Sequence, residues 1–264
     1  MISVLIGGLG KAARRSAMPL LGAVIFLLIW EAGVHLFGVR PILLPAPSLI
    51  GEELIASPAW FAEQTAYTLG ITLAGFAVAT VFGVLFAILI VEWKVLDRLL
   101  FPLFVALNSV PKVALAPLFL IWFGTGATPK IAIAFLIAVF AVVIDTALGL
   151  QSVPPDTIDL ARTLRGSRLK VLLRIKLYCA LPHLFAGLKV AMSLALVGAI
   201  VGEFVSSQRG LGYVILTAQG TFDTPRVFAA IAILAVLGMA LIALIGAIER
   251  VALPWHHATS RRAE

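Results

Sequence analysis

Six apolar runs dominate the chain, at about residues 18–38, 66–91, 100–123, 129–150, 183–205 and 227–250. Each is long enough to cross a hydrocarbon core about 30 Å thick, which takes roughly 20 residues of helix. Lipid offers no partner for a free N–H or C=O, so a spanning segment must be a helix or part of a closed barrel. The runs show no apolar and polar alternation, which excludes a barrel. The expected fold is therefore an all-α membrane protein, a single domain over residues 1–264 with six transmembrane helices. Composition agrees, since 61% of residues are hydrophobic and 12% charged, against about 45–50% and roughly 25% in soluble domains.

The net charge of +7 raises the question of nucleic acid, but the basic residues lie in loops rather than on a face. Lys and Arg in short loops stay on the cytoplasmic side. One side would hold Lys11, Arg14, Arg15, Lys94, Arg98, Arg162, Arg165, Arg168, Lys170, Arg174, Lys176, Arg250, Arg261 and Arg262. The other would hold only Arg40, Lys130, Arg209 and Arg226. Both termini are then cytoplasmic, and lipid, not nucleic acid, is the surrounding partner. The basic start before the first run resembles a signal peptide, yet the run is long and lacks an A-x-A site, so it is read as a retained helix. The single cysteine, Cys179, excludes a disulfide framework or a multi-cysteine metal site.

Two outer segments stand apart. Residues 39–65, with Pro41, Pro45, Pro47, Glu52, Glu53, Trp60, Phe61 and Glu63, read as a loop with a short external helix. Residues 206–226, with Gly210, Gly212 and Gly220 around apolar residues, fit either a segment dipping into the membrane or an amphipathic surface loop.

The cytoplasmic loop 151–182 is long for a chain of minimal loops. Pro154 and Pro155 before Asp156 mark a helix start, and Ile158, Ala161 and Leu164 recur at helical spacing. Gly166 ends that helix. Ser167 can cap a second one, in which Leu169, Leu172, Leu173 and Leu177 make a stripe opposite Arg168, Lys170 and Arg174, closed by Leu181 and Pro182. Such a pair fits a knob for a partner's groove, and fits equally a basic helix pair lying on anionic lipid.

Residues Asp159, Leu160, Ala161, Arg162, Thr163, Leu164, Arg165, Gly166 and Ser167, followed by Ala180, Leu181 and Pro182, resemble the EAA loop of binding-protein-dependent ABC importer permeases. Pro111-Lys112-Val113-Ala114, Trp122-Phe123-Gly124-Thr125-Gly126, Gly187-Leu188-Lys189 and Gly210-Leu211-Gly212-Tyr213 extend the likeness toward the nitrate, sulfonate and taurine branch. The chain departs from the pattern at three places. Asp159 stands for Glu, Leu160 for Ala, and Arg165 occupies the glycine position, with Gly166 one residue later. The resemblance implies that Asp159 to Arg168 form the coupling helix that docks on a separate cytoplasmic ATPase dimer. It also implies a second copy of the chain and an external substrate-binding protein. The solute implied is a small anion, and the membrane implied is the bacterial inner membrane.

Ionisable groups inside spans face a bundle interior or cavity because the lipid face costs roughly 2.5–3.5 kcal/mol. Lys112, Asp145, Lys189 and Glu203 are such groups. Lys112, beside Pro111 in a third helix expected to kink at Pro117, is a candidate to attract an anion, or pairs with Asp145, or snorkels. Glu203 reads as a structural or gate contact. Asn108, Ser109 and Ser193 are candidates to line a path, or to serve as helix–helix hydrogen bonds. His256 and His257 have no carboxylates or cysteines clustered beside them, so no metal site is assigned. There is no Ser/His/Asp order, no H-E-x-x-H and no G-x-x-x-x-G-K-[ST]. The chain is thus expected to be non-catalytic and without a cofactor, with ATP and Mg bound by the partner ATPase. A self-contained channel or secondary transporter is the alternative, although neither internal repeats nor an ion relay stands out.

Overall fold

The computed structural model describes Met18 and residues 21–255. The basic residues Lys11, Arg14, Arg15, Arg261 and Arg262, and the His256-His257 pair, lie outside the described residues. Every regular element among the described residues is helical. In chain order these are α1 (Leu21–Leu36), α2 (Pro47–Ala56), α3 (Pro58–Glu92), α4 (Lys94–Ser109), a 3₁₀ turn (Lys112–Leu115), α5 (Ala116–Phe123), α6 (Ala127–Gln151), α7 (Pro155–Thr163), α8 (Arg168–Val171), a π turn (Leu172–Lys176), α9 (Leu177–Ser206), α10 (Leu211–Gly220) and α11 (Thr224–Ala252).

Four helices are long and apolar enough to cross a membrane: Pro58–Glu92, Ala127–Gln151, Arg168–Ser206 and Thr224–Ala252. Among the described residues the first apolar run contributes the apolar helix α1. The third run is not one straight span. Helices Arg98–Ser109 and Lys112–Phe123 meet at 86°, because the residue before a proline is pushed out of the helical region. Val110 is accordingly extended, with φ −71° and ψ 132°. The break thus falls at Val110-Pro111, whereas Pro117 lies in the first turn of α5, where a missing N–H costs nothing.

Two further expectations change. Pro182 does not close the cytoplasmic loop; it lies inside α9, which runs back through the π turn to Arg168 as one helix of 39 residues. And α3 starts at Pro58, so Trp60, Phe61 and Glu63 belong to its first turns, leaving α2 as the short separate helix of the 39–65 segment.

The fold divides into two compact units, residues 1–61 with 215–231, and residues 62–214 with 232–264. In the first, Trp30 meets Phe26 and Phe228 edge-on, at 6.0 and 5.8 Å between ring centroids. There Arg226 pairs with Glu53 at 2.7 Å and Asp223 at 3.2 Å.

The second unit is built around α6, the most buried of the long apolar helices. Helices α3 and α9 approach it through glycines. An added Cβ at Gly83 of α3 would lie 2.7 Å from the Val142 side chain, and at Gly198 of α9 only 2.6 Å from Ala134 Cα. Without a hydrophobic drive between helices in lipid, small residues that let backbones touch supply the packing. Ala138, Val142 and Val143 of α6 then fill the seam with Ala79 of α3 and Ala191 and Ala195 of α9.

Candidate functional site

Residues 155–171 form two short helices joined by a tight turn. Helix α7 turns Ile158 and Ala161 inward and leaves Asp159 and Thr163 exposed. The Thr163 hydroxyl donates back to the Asp159 carbonyl at 2.6 Å. Arg162 lies on the same helix; its side chain is outside the described residues.

The turn has the hydrogen bonding of a Schellman cap. Gly166 N donates to Ala161 O at 2.9 Å across Arg165, whose φ is +55°. An added Cβ at Gly166 would lie 2.7 Å from that same Ala161 oxygen. Ser167 caps α8 as expected, its side chain accepting from Lys170 N at 3.4 Å.

The expected leucine stripe is replaced by a different face. Val171 is the buried residue, Leu172 and Leu177 are half-buried, and Leu169 and Leu173 point outward. Leu160, Leu164, Leu169 and Leu173 are 63%, 76%, 63% and 55% exposed, together with Arg165, Ser167 and Arg168. The segment therefore presents an apolar surface rimmed with cations.

The candidate path residues do not converge on one point. Lys112 Nζ donates to the Asn108 side chain at 2.8 Å and to its carbonyl at 3.1 Å. It also sits 4.5 Å over the Phe140 ring. Among the described residues it forms no ion pair, so the expected pairing with Asp145 is not made. Asp145 instead packs against Gly187, whose added Cβ would lie 2.7 Å from Asp145 Cβ. Ser109 is exposed at the end of α4, and Ser193 Oγ donates to the Lys189 carbonyl at 3.4 Å.

Glu203 is fully buried at the far end of α9. Its carboxylate accepts from Thr68 Oγ1 at 2.9 and 3.1 Å and from Gly212 N at 2.7 Å. Thr68 Oγ1 in turn accepts from Leu211 N at 2.8 Å, and Gln64 Oε1 accepts from Gly210 N at 2.7 Å. The first amides of α10 are thus capped by two helices, with the anion at their N-terminal end where the dipole favours it. An added Cβ at Gly210 would overlap the Glu203 carboxylate.

Gln64 and Thr68 were not singled out from sequence, although Gln64, Thr68 and Thr72 repeat every four residues and so share one helix face. Lys189 meets Glu249 of α11 in an ion pair. Lys130, expected on the outer side at the start of the fourth run, is buried in the first turn of α6 and donates to Gly126 O at 2.9 Å. With Tyr67, Thr125, Ser206 and Arg209 it lines a cavity of 530 Å³.

Residues 79–252 match the model of a binding-protein-dependent transport system inner membrane component. The chain is 34% identical to the riboflavin transport system permease protein of Chloroflexus aurantiacus, over 93% of this chain and 94% of that one. It is 33% identical to the formylaminopyrimidine transport permease protein of Halalkalibacterium halodurans, over 93% and 98%. With the taurine transport system permease protein of Escherichia coli it shares 32%, over 92% and 91%. In fold it is similar to a methionine ABC transporter solved in inward-facing conformations, with TM-score 0.67 at 16% identity, over 74% of this chain and 97% of that one.

Proposed function

The chain belongs to the family of binding-protein-dependent transport system inner membrane components, and from that premise we propose that it is the permease subunit of an ATP-driven importer for a small anion, of the sulfonate, nitrate or taurine kind. It is a multi-pass membrane protein of the transport-permease type. Two copies, each crossing six times with cytoplasmic termini, enclose a central path. Residues Asp159 to Arg168 of each copy dock on an ATPase dimer that binds ATP and Mg, and a binding protein delivers solute on the opposite side. ATP binding draws the ATPases together, the docked loops carry that movement into α9 and the bent α4–α5 pair, and the path opens outward. Hydrolysis resets it.

Support comes from the bare apolar face of α7 and α8. Leu160 and Leu164 are exposed between two long apolar helices, and Leu169 and Leu173 on the first turns of the second. Exposed apolar patches rimmed by polar residues mark protein interaction sites. Lys130 and Arg209, on the wall of the 530 Å³ cavity, support an anionic solute.

Because Leu164 and Leu169 are exposed, their replacement costs the isolated chain little. Leu164→Glu and Leu169→Glu should therefore leave membrane insertion intact while abolishing co-purification of the ATPase and uptake. Variants that still capture the ATPase and transport solute would overturn the docking role. Gly166 is a poor probe, since any side chain there strikes the Ala161 carbonyl.

A further inference from the structure

We propose that the Glu92–Lys176 ion pair is the strut through which movement of the α7–α8 knob enters α3, with the π turn Leu172–Lys176 as its hinge. The inference rests on the docking role proposed for that knob and adds the route its movement takes into the membrane helices.

Glu92 is the last residue of α3, and Lys176 is the last residue of the π turn that joins α8 to α9. Lys176 Nζ donates to Glu92 Oε1 at 2.6 Å, and the two side chains are only 16% and 18% exposed. Exposed ion pairs contribute little. This pair is mostly withdrawn from solvent, so it is held more firmly than a fully exposed one.

The packing around the pair is open. A cavity of 420 Å³ lies on one side, walled by Trp93 between α3 and α4, by Val95 at the start of α4 and by Gly166 and Val171 from the knob. A second, of 470 Å³, lies toward Leu150 and Pro155. Lys176 borders both cavities. Close-packed interiors transmit displacement through many contacts at once. Here that continuous contact is interrupted on both flanks, so the ion pair is the stiff connection between the knob and the end of α3.

The knob is also joined to α9 through the main chain, and that connection runs through the π turn. In the π turn, Leu177 N donates to Leu172 O, one residue further back than in an α-helix. Single π turns inside α-helices occur frequently at functional sites. Part of the knob's movement is taken up at this turn before the rest reaches α9, whereas the strut passes it directly on to α3, in addition to the α9 and α4–α5 route.

The test uses the full complex with its ATPase in lipid nanodiscs, with ATP, Mg and vanadate as the probe. In a Cys179→Ser background, nitroxides at Leu85→Cys on α3 and Val197→Cys on α9, both exposed, report the distance between those helices. The parent should assemble, hydrolyse ATP and change that distance on trapping. E92Q and K176Q should assemble and keep basal hydrolysis but lose the distance change, and the exchange E92K/K176E should restore it. Single variants that move as the parent does would overturn the strut. So would single variants that fail to assemble, or an exchange variant that assembles without recovering the change, since each marks a structural role alone. Failure of the parent itself to capture an ATPase would instead overturn the docking role on which the inference rests. Allosteric couplings of this kind run to about 5–150-fold, so stimulation of ATPase activity by solute-loaded binding protein should fall at least about 5-fold in E92Q and K176Q.

Discussion

Arg165 holds a φ of +55°, a left-handed conformation that costs a residue with a Cβ roughly 1–2 kcal/mol. The resemblance places a glycine at this position, and the turn shows why one belongs there. The departure is therefore in residue type, while the Schellman hydrogen bond to Ala161 keeps the geometry. Arg165→Gly should stabilise the chain by about 1 kcal/mol, read as a higher Tm in detergent. Gly166→Ala should lower Tm, because its Cβ would sit 2.7 Å from the Ala161 oxygen. Glu203 offers a second measurement at this scale. Glu203→Ala removes the acceptor of Thr68 Oγ1 and Gly212 N, and each buried donor so orphaned costs about 1–3 kcal/mol. A clear fall in Tm should follow, and a variant as stable as the parent would show that the network is slack. Glu203 stood out in sequence because a carboxylate inside an apolar run is rare. Its partner Thr68 did not, because a threonine is tolerated in an apolar helix with its hydroxyl bonded to the preceding turn, as Thr72 bonds to the Thr68 carbonyl.

At the scale of helices, hydropathy located the apolar runs but not their breaks or junctions. A run such as 100–123 reads as one span because hydropathy ignores backbone torsion, and the bend at Val110-Pro111 arises from a steric clash confined to two residues. Pro182 misleads in the opposite direction, since α9 accommodates it without ending. The close seams of α6 with α3 and α9 were also hidden. Glycines are common in membrane helices, and nothing in a single sequence tells which ones touch another backbone. Gly198 does, with its added Cβ only 2.6 Å from Ala134 Cα. Gly198→Val should force the two helices apart and cost about 1–3 kcal/mol or more, the usual penalty of overpacking. Gly70, where an added Cβ meets nothing, is the matched control. Thermal unfolding followed by size-exclusion chromatography should show early loss of the folded peak for Gly198→Val and little change for Gly70→Val.

For the whole molecule, the unequal distribution of Lys and Arg makes one prediction that a single residue can test. Cys179 is the chain's only cysteine, and it is exposed. It follows Tyr178, whose ring stacks on Trp255 with centroids 4.4 Å apart and planes 16° from parallel. Stacked Tyr and Trp rings fit the depth at which aromatic belts meet the headgroups. If the basic loops are cytoplasmic, Cys179 lies at the inner surface. A membrane-impermeant maleimide should then leave it untouched in intact spheroplasts and label it once the membrane is permeabilised. Leu43, exposed between α1 and α2, lies on the opposite side in that orientation. Leu43→Cys in a Cys179→Ser background should be labelled in intact spheroplasts without permeabilisation. Labelling of Cys179 from outside, with Leu43→Cys protected, would invert the orientation. It would place α7 and α8 beyond the reach of any cytoplasmic ATPase, so the docking role and the strut both depend on the outcome.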